Sequence, residues 1–546
     1  MRDDLKGLGV SPGLTAGPVY AMGSPAVLPA VAPAVTDADA EVQRATAALA
    51  AVSAELDRIA AQVGGTAAEV LATEAMMAAD MTLADGVARK ISEGRPAAWA
   101  VGDAVAEQQE QFAALGGYFA ERAADLADIR DRAVAWLLDK PMPGLPRPNE
   151  PFVLVADDLS PADTALLDES VVAIVTRRGG PTSHTAILAR SRALPAVVAC
   201  AGIMDVADGS VVSVDGVSGA VCFVDPKTAP DIRAIGEQER DRLAATTGPG
   251  RTADDVEIPL LLNVGGVADL TDDAAGVGLF RTEFLFLGQT VAPSVAEQET
   301  AYRALFEALG DRKVVLRTLD AGADKPLPFL GLAEEDNPAL GVRGLRTSRV
   351  DPSVLADQLR AVANAAAGTE ADVWVMAPMV ATATEAAAFA ALVHEAGLRS
   401  AGAMIEVPAA ALRARAVVAA VDFVSIGTND LSQYTMAADR MNGALADLLD
   451  PWQPAVLDLV ASVASAGRDA GKPVGVCGEA AGDPLLALVF VGMGVTSLSM
   501  SAPSVPAVRA ALADHTMADC ERLAQLAVDA QDAESAREAV LKAQAK

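Results

Sequence analysis

Basic residues are in short supply. Lys and Arg number 42 against 73 Asp plus Glu over 546 residues, a formal net charge of −31. Such a chain repels phosphate backbones and anionic lipid, which excludes a general nucleic-acid or membrane-surface binder. The acidity has two readings, solubility and attraction of a basic protein partner. Cysteine is scarcer still: Cys200, Cys222, Cys477 and Cys520 are too widely spaced for a disulfide framework or a zinc pattern. Long apolar runs are missing as well. The longest, Leu485 to Val495, is too short to cross a bilayer, and the opening Met1-Arg2-Asp3-Asp4 lacks the apolar stretch of a signal peptide. The expected location is therefore the reducing cytoplasm. Aromatics make up 4% of residues while hydrophobic residues reach 52%, because Ala and Val carry much of the apolar count. With 21% charged residues this is the composition of a folded chain, and the length calls for two to four domains.

What is present falls into regions of different texture. Gly7–Val19 reads as strand-forming sequence between Gly/Pro turns. From Thr36 to Lys140 the chain is helical. Val42, Ala45, Leu49, Val52, Leu56, Ile59 and Val63 form a seam at alternating steps of three and four, and further helices are expected over 69–91, 97–115 and 121–138. Five prolines between Pro141 and Pro151 form a stiff linker. Short apolar runs at 152–155, 171–176, 196–199, 211–214 and 221–224 predict a compact α/β unit, with a helix near 185–191. A charged helical connector follows over 226–250. From Arg251 onward, eight buried-strand candidates alternate with Ala-rich helical stretches: 260–264, 276–280, 314–319, 373–379, 402–407, 423–426, 474–477 and 497–500.

Eight such units suggest a (β/α)₈ barrel, and periodicity alone leaves a doubly wound sheet open. The polar residues favour the barrel. Arg281 and Glu283, Arg317 and Asp320, Glu406, Asn429 and Asp430, and Cys477 and Glu479 all fall at the C-terminal ends of strand candidates, which a barrel gathers at one mouth. Arg281, Arg317, Arg343, Arg346 and Arg440 predict a local excess of arginine there, suited to an anion's paired oxygens. Glu406 and Asp430 offer hard oxygen ligands for Mg²⁺. Cys477 has two readings, a small buried hydrophobe or a thiol that protonates a carbanion-like carbon.

Of the three histidines, His394 and His515 lie in Ala-rich helical sequence. His184 lies instead in Gly179-Gly180-Pro181-Thr182-Ser183-His184-Thr185-Ala186-Ile187-Leu188-Ala189-Arg190, a glycine turn entering a helix. The free N–H groups and positive dipole there favour an anion on the ring, and imidazole is a competent nucleophile at neutral pH.

That segment resembles the phosphohistidine signature of the PEP-utilising enzymes. Arg317-Thr318-Leu319-Asp320, Gly322-Ala323-Asp324-Lys325, Asn337–Arg343, Met404–Pro408 and Ile426–Tyr434 resemble their barrel signatures. The resemblance spans nearly the whole chain and is strongest to the Enzyme I group of the bacterial sugar phosphotransferase system. It implies a multidomain α/β protein: a swivelling phosphohistidine domain (1–35 and 141–225), an inserted helical carrier-binding bundle (36–140), a helical linker (226–250) and a PEP-binding, dimer-forming (β/α)₈ barrel (251–546). It further implies phosphoenolpyruvate held by Arg281, Arg317, Asn429, Asp430 and Arg440 with Lys325 and Arg343 assisting. Mg²⁺ would sit on Glu406 and Asp430, with Cys477 as proton donor. Phosphoryl transfer would go to Nε2 of His184 and then to a histidine of the small carrier HPr.

Two departures are visible. Ala323 stands where the family has a second glycine, and Glu74 where it commonly has a histidine. Other carriers, of the nitrogen-linked or dihydroxyacetone kinase branches, and a non-catalytic regulatory homologue are the alternatives. ATP-using relatives such as pyruvate phosphate dikinase need a nucleotide-binding domain, and no P-loop pattern precedes the linker.

Overall fold

The computed structural model describes residues 4–544 apart from 24–25, 30, 61–73, 116, 141–142, 147, 160–166, 181–182, 272, 287–288, 290, 323–326, 334 and 441–442. Its C-terminal part is a closed barrel of eight parallel strands: Leu260–Val264, Gly276–Arg281, Lys313–Arg317, Asp372–Ala377, Ser400–Ile405, Phe423–Ile426, Val474–Val476 and Ser497–Met500. Closure comes from pairing of the last strand with the first, Leu498 beside Leu260 and Met500 beside Leu262. These strands are short and rich in Val, Leu and Ile because helices cover one face and the barrel interior fills the other. Leu279, Val315, Met376, Met404, Phe423 and Cys477 form the interior plug. At the N-terminal end, Lys313 Nζ lies 3.2 Å from the centroid of the Trp374 ring, an attraction that offsets its burial.

The doubly wound alternative is thus excluded, and most strands match their sequence-based positions. The third, fourth and fifth end two residues early, at Arg317, Ala377 and Ile405. The reason lies in the loops. Thr318 N–H still bonds Met376 O at 3.0 Å, but Met379 takes a left-handed φ of 57° that directs its N–H to the Glu406 carboxylate instead of a strand partner.

The N-terminal α/β unit is an eight-stranded sheet in the spatial order Leu5–Lys6, Ala220–Phe223, Val211–Asp215, Leu14–Ala21, Phe152–Ala156, Val171–Thr176, Ala196–Val198, Leu8–Ser11. The single opening strand read over Gly7–Val19 is in fact two, at different places in that sheet. Pro12 lacks an N–H and Gly13 turns the chain at φ 130°, so the ladder cannot continue. Between the two halves of this unit lie the helices Ala38–Ala60, Met81–Ser92, Ala97–Leu115 and Gly117–Leu137. The seam on the first packs as their shared core through Ala45, Leu49, Val52, Leu56 and Ile59, while Val63 lies outside the described residues. The helix expected over 69–91 is interrupted, because Asp80 caps the second of these helices by accepting from Thr82 N–H at 2.6 Å. Glu74 is buried in this bundle at 3% exposure.

Around the barrel, helix Val295–Leu309 opens with a capping box between Ser294 and Glu297 and buries Tyr302, Leu305 and Phe306 against the strands. Phe306→Ala should cost about 3–5 kcal/mol of barrel stability. Urea unfolding followed by tryptophan fluorescence measures it, and a loss below about 1 kcal/mol would show that this helix is not packed as described.

Candidate active site

The barrel mouth is built from a chain of ion pairs. Arg317, the last residue of the third strand, donates through Nη2 to Glu283 at 2.9 Å and pairs through Nη1 with Asp320 at 3.0 Å. Asp320 also faces Arg343 Nη2 at 3.2 Å, and Arg343 Nη1 reaches Asp430 at 3.3 Å and the Tyr434 hydroxyl at 3.4 Å. Arg440 Nη1 lies 3.7 Å from the other oxygen of Asp430. Arg343 is 1% exposed, so its fork is committed to these partners beneath the mouth. Burial opposes the charge on Arg317, but Glu283, Asp320 and Glu406 together outweigh it and hold the guanidinium above its ordinary range.

Close packing by glycine makes this possible. A Cβ on Gly322 would lie 2.2 Å from Val342 O, so only glycine allows this loop to lie against the backbone that carries Arg343. A Cβ on Gly478 would meet Thr428 Oγ1 at 1.8 Å, so Gly478 lets the Cys477 loop approach helix Thr428–Met436. Asn429 and Asp430 stand in the first turn of that helix, and Asn429 Oδ1 accepts from Glu479 N–H at 3.1 Å.

The expected surplus of arginine does not appear. Arg281, Arg317, Arg343 and Arg440 are answered by Glu283, Asp320, Asp430 and Glu479, and Glu406 is a fifth carboxylate. Buried guanidiniums need local counter-charge, and short loops supply it. Arg346 stays out of the cluster and donates to the carbonyls of Leu340 and Gly341.

Glu406 is 1% exposed and accepts from Met379 N–H at 2.5 Å. Its pKa is pushed up to about 8, by burial first and then by the Asp320 and Asp430 charges. Among the described residues no group of three or more His, Cys, Asp or Glu forms a closed metal cage. Glu406, which feels the Arg317 charge but accepts no hydrogen bond from it among the described residues, and Asp430 are hard oxygen donors of the kind a divalent cation takes when substrate oxygens complete its shell.

Cys477 follows the seventh strand, is buried, and lies 3.6 Å from Ile426 O through its sulfur. Burial raises the thiol to about 11, partly opposed by a hydrogen bond from Ser425 and the Arg317 charge. It is therefore protonated at neutral pH, a donor with a proton to give.

His184 begins helix His184–Ser191, whose N-cap Ser183 accepts from Ala186 N–H at 3.3 Å. The His184 side chain, Pro181, Thr182, Ala323 and Lys325 lie outside the described residues. The same helix carries Arg190, which donates to Val10 O at 3.0 Å and places Nε 3.3 Å from Glu479 Oε2. Glu479 Oε1 accepts from Arg281 at 3.1 Å. Burial would raise the Glu479 pKa, but the two guanidiniums overcome it and hold the carboxyl below its usual value. One carboxylate thus ties the histidine helix to the barrel mouth. Sequence reasoning placed Glu479 at the mouth but gave neither it nor Arg190 a partner or a specific role. Arg190 closes the histidine segment and Glu479 follows Cys477 by two, and that adjacency was the available signal.

A parallel barrel with paired arginines and carboxylates at its mouth, docked to a histidine-bearing helix, defines an enzyme acting on a small anion. Family models agree, matching PEP-utilising enzyme, PEP-binding domain, over residues 240–517, the N-terminal domain over 6–122 and the mobile domain over 148–219. The chain is 53% identical to the phosphoenolpyruvate-protein phosphotransferase of Streptomyces coelicolor, with 99% of each chain covered. It is 44% identical to the Haloferax volcanii protein of the same name over 83% of this chain and 82% of that one. For the Geobacillus stearothermophilus protein the figures are 37%, 93% and 92%. The chain belongs to the PEP-utilising enzymes, and its chemistry is phosphoryl transfer from phosphoenolpyruvate. Among the described residues no helix is long and apolar enough to cross a membrane.

Because the folded-state pKa of Glu406 lies above its ordinary 4.5, its contribution to stability is full at low pH and is lost as pH rises toward about 8. A metal ion held on Glu406, tested with Mg²⁺, should therefore raise the melting temperature more at pH 8 than at pH 6. Differential scanning calorimetry of wild type and Glu406→Gln checks this: the variant should lose the pH-dependent part of the gain.

Proposed function

We propose that the enzyme moves the phosphoryl group of phosphoenolpyruvate onto His184 and then to a histidine of an HPr-type carrier. The observation that carries this reading is Glu479, shared between Arg281 at the mouth and Arg190 on the His184 helix. The mouth and the helix that opens on His184 both reach this carboxylate. Arg281, one-third exposed, Arg317, Asn429 and Arg440 would orient the phosphate and carboxylate of the substrate, with Lys325 assisting. Arg343, fully enclosed, would act through Asp320 and Asp430 by fixing their positions. Glu406 and Asp430 would hold Mg²⁺, which when bound neutralises charge on phosphate oxygens.

The imidazole of His184 attacks phosphorus in line, forming the N–P bond as the bridging P–O bond breaks toward the enolate. The Cys477 thiol then gives its proton to the methylene carbon, producing pyruvate. The thiolate left behind is stabilised by the Arg317 and Arg281 charges. Phosphohistidine then meets the carrier, for which the helical bundle at 36–140 is the docking unit. The enzyme would act as a homodimer through its barrel, where Phe284, Leu340 and Leu412 are large apolar side chains left exposed. A reducing cytoplasm suits its free cysteines.

Incubation with labelled phosphoenolpyruvate and Mg²⁺ should give acid-labile label on wild type, none on His184→Ala, and loss of label when HPr is added. Wild-type protein without label would end the proposal; label retained with HPr would assign another carrier.

Cys477→Ser should still accept label from phosphoenolpyruvate. In the reverse direction it should exchange pyruvate methyl protons with deuterated solvent roughly 10²–10⁴-fold more slowly, as for loss of a positioned acid–base group. Proton NMR of pyruvate reads this directly, and wild-type exchange in the variant would remove Cys477 from the chemistry.

A further inference from the structure

We propose that the floor of the barrel returns a proton to Cys477, from Lys313 through one water molecule and the Ser425 hydroxyl. The path rests on Cys477 as proton donor in the proposed function and supplies the means by which that thiol is recharged.

A barrel interior is ordinarily filled by bulky aliphatic side chains. Here a cavity of about 20 Å³ at the N-terminal end is lined by Lys313, Trp374, Ser425, Gly475, Ser497 and Ser499. One water fits, since it needs about 10–15 Å³ and two or more polar partners. The space exists because residue 475 is glycine: a Cβ there would stand 3.0 Å from Ser497 Oγ and 3.7 Å from Ser425 Oγ.

Ser425 joins this space to the thiol. It is 5% exposed, and its hydroxyl donates a hydrogen bond to Cys477. Ser499 is committed elsewhere. Its hydroxyl donates to Asn263 Oδ1 at 2.6 Å, and Asn263 Nδ2 donates to Cys477 O at 3.0 Å, which fixes the loop. At the outer end Lys313, half-buried, sets Nζ 3.2 Å from the Trp374 ring centroid. Asp372 on the neighbouring strand is the charge that faces it, and Trp374 and Phe423 present rings. Burial pushes the Lys313 pKa down to about 8, while the Asp372 charge and the indole face pull the other way. The amine can therefore both hold and release a proton near neutral pH.

Cys477 is 2% exposed, and substrate fills the mouth above it during turnover, so the floor is the approach left open. Once the thiol has given its proton to carbon, the Ser425 hydroxyl passes its own to the thiolate and takes one from the water. The water takes one from the Lys313 ammonium, and the amine recovers it from solvent. Each carrier loses one proton and regains one, and no electrons are transferred.

Exchange of pyruvate methyl protons into deuterated solvent reads the relay, because each event sends a proton out and brings a deuteron in. Lys313→Arg keeps a cation over Trp374 but holds its protons to above about pH 12. Gly475→Ala fills the water space and leaves both ends of the path in place. Each should slow exchange at least about tenfold. The ratio of wild-type to Lys313→Arg rates should peak near pH of about 8, where the lysine takes and gives protons equally well. Loss of packing alone gives no such peak. Independently of turnover, in protein labelled with 5-fluorotryptophan the Trp374 resonance, assigned by Trp374→Phe, should titrate near the same pH. A Trp374 resonance fixed through that range, wild-type exchange in either variant, or a ratio flat with pH overturns the relay. Exchange that survives in Cys477→Ser removes the proton donor and the relay with it; exchange lost there yet intact in Lys313→Arg removes the relay alone.

Discussion

The mouth of the barrel depends on a chain of buried ion pairs running Glu283, Arg317, Asp320, Arg343, Asp430, Arg440. Removing so many charges from water is costly, and the arrangement persists only because each interior member is shared by two partners. Asp320 faces Arg317 and Arg343; Asp430 faces Arg343 and Arg440. The chain starts on the second and third strand loops and ends beyond the sixth, so it fixes loops that no backbone ladder joins. Loss of one member leaves an uncompensated charge at the centre, and the close approach that brings the members together is permitted by Gly322 and Gly478.

Within that frame two groups are set apart by what they lack. Glu406 has neighbours of its own sign, a backbone N–H and the charge of Arg317 nearby, but among the described residues no arginine at hydrogen-bonding distance. Cys477 sits over an apolar plug with its proton retained. In the proposed chemistry, the burial that raises both pKa values suits them to opposite uses: the carboxylate to an added cation, and the thiol to keeping a proton for a carbanion.

Much of this was legible in the sequence. Strands such as Leu260–Val264, Phe423–Ile426 and Ser497–Met500 are short Val/Leu/Ile or Ser/Met runs bounded by polar or glycine residues, and burial on both faces leaves little ambiguity. The positions of Arg317, Glu406 and Cys477 follow from strand ends. What the sequence hid was pairing. Whether an arginine at a mouth is free for substrate or already answered by acid depends on side chains brought together from far apart in sequence, 87 residues for Arg343 and Asp430 and 198 for Arg281 and Glu479. The split at Pro12-Gly13 was readable locally, but the placement of its two strands at separate points of one sheet is a property of topology.

Glu479 has one more implication. Its two oxygens serve arginines from different units, Arg190 and Arg281. Any event that changes the hold on Arg281, such as an anion arriving at the mouth, alters the charge left for Arg190 by the same free energy with which docking alters anion affinity. By linkage, whatever coupling this shared carboxylate carries acts equally in both directions: an anion on Arg281 weighs on the docking of the histidine helix as much as docking weighs on the anion.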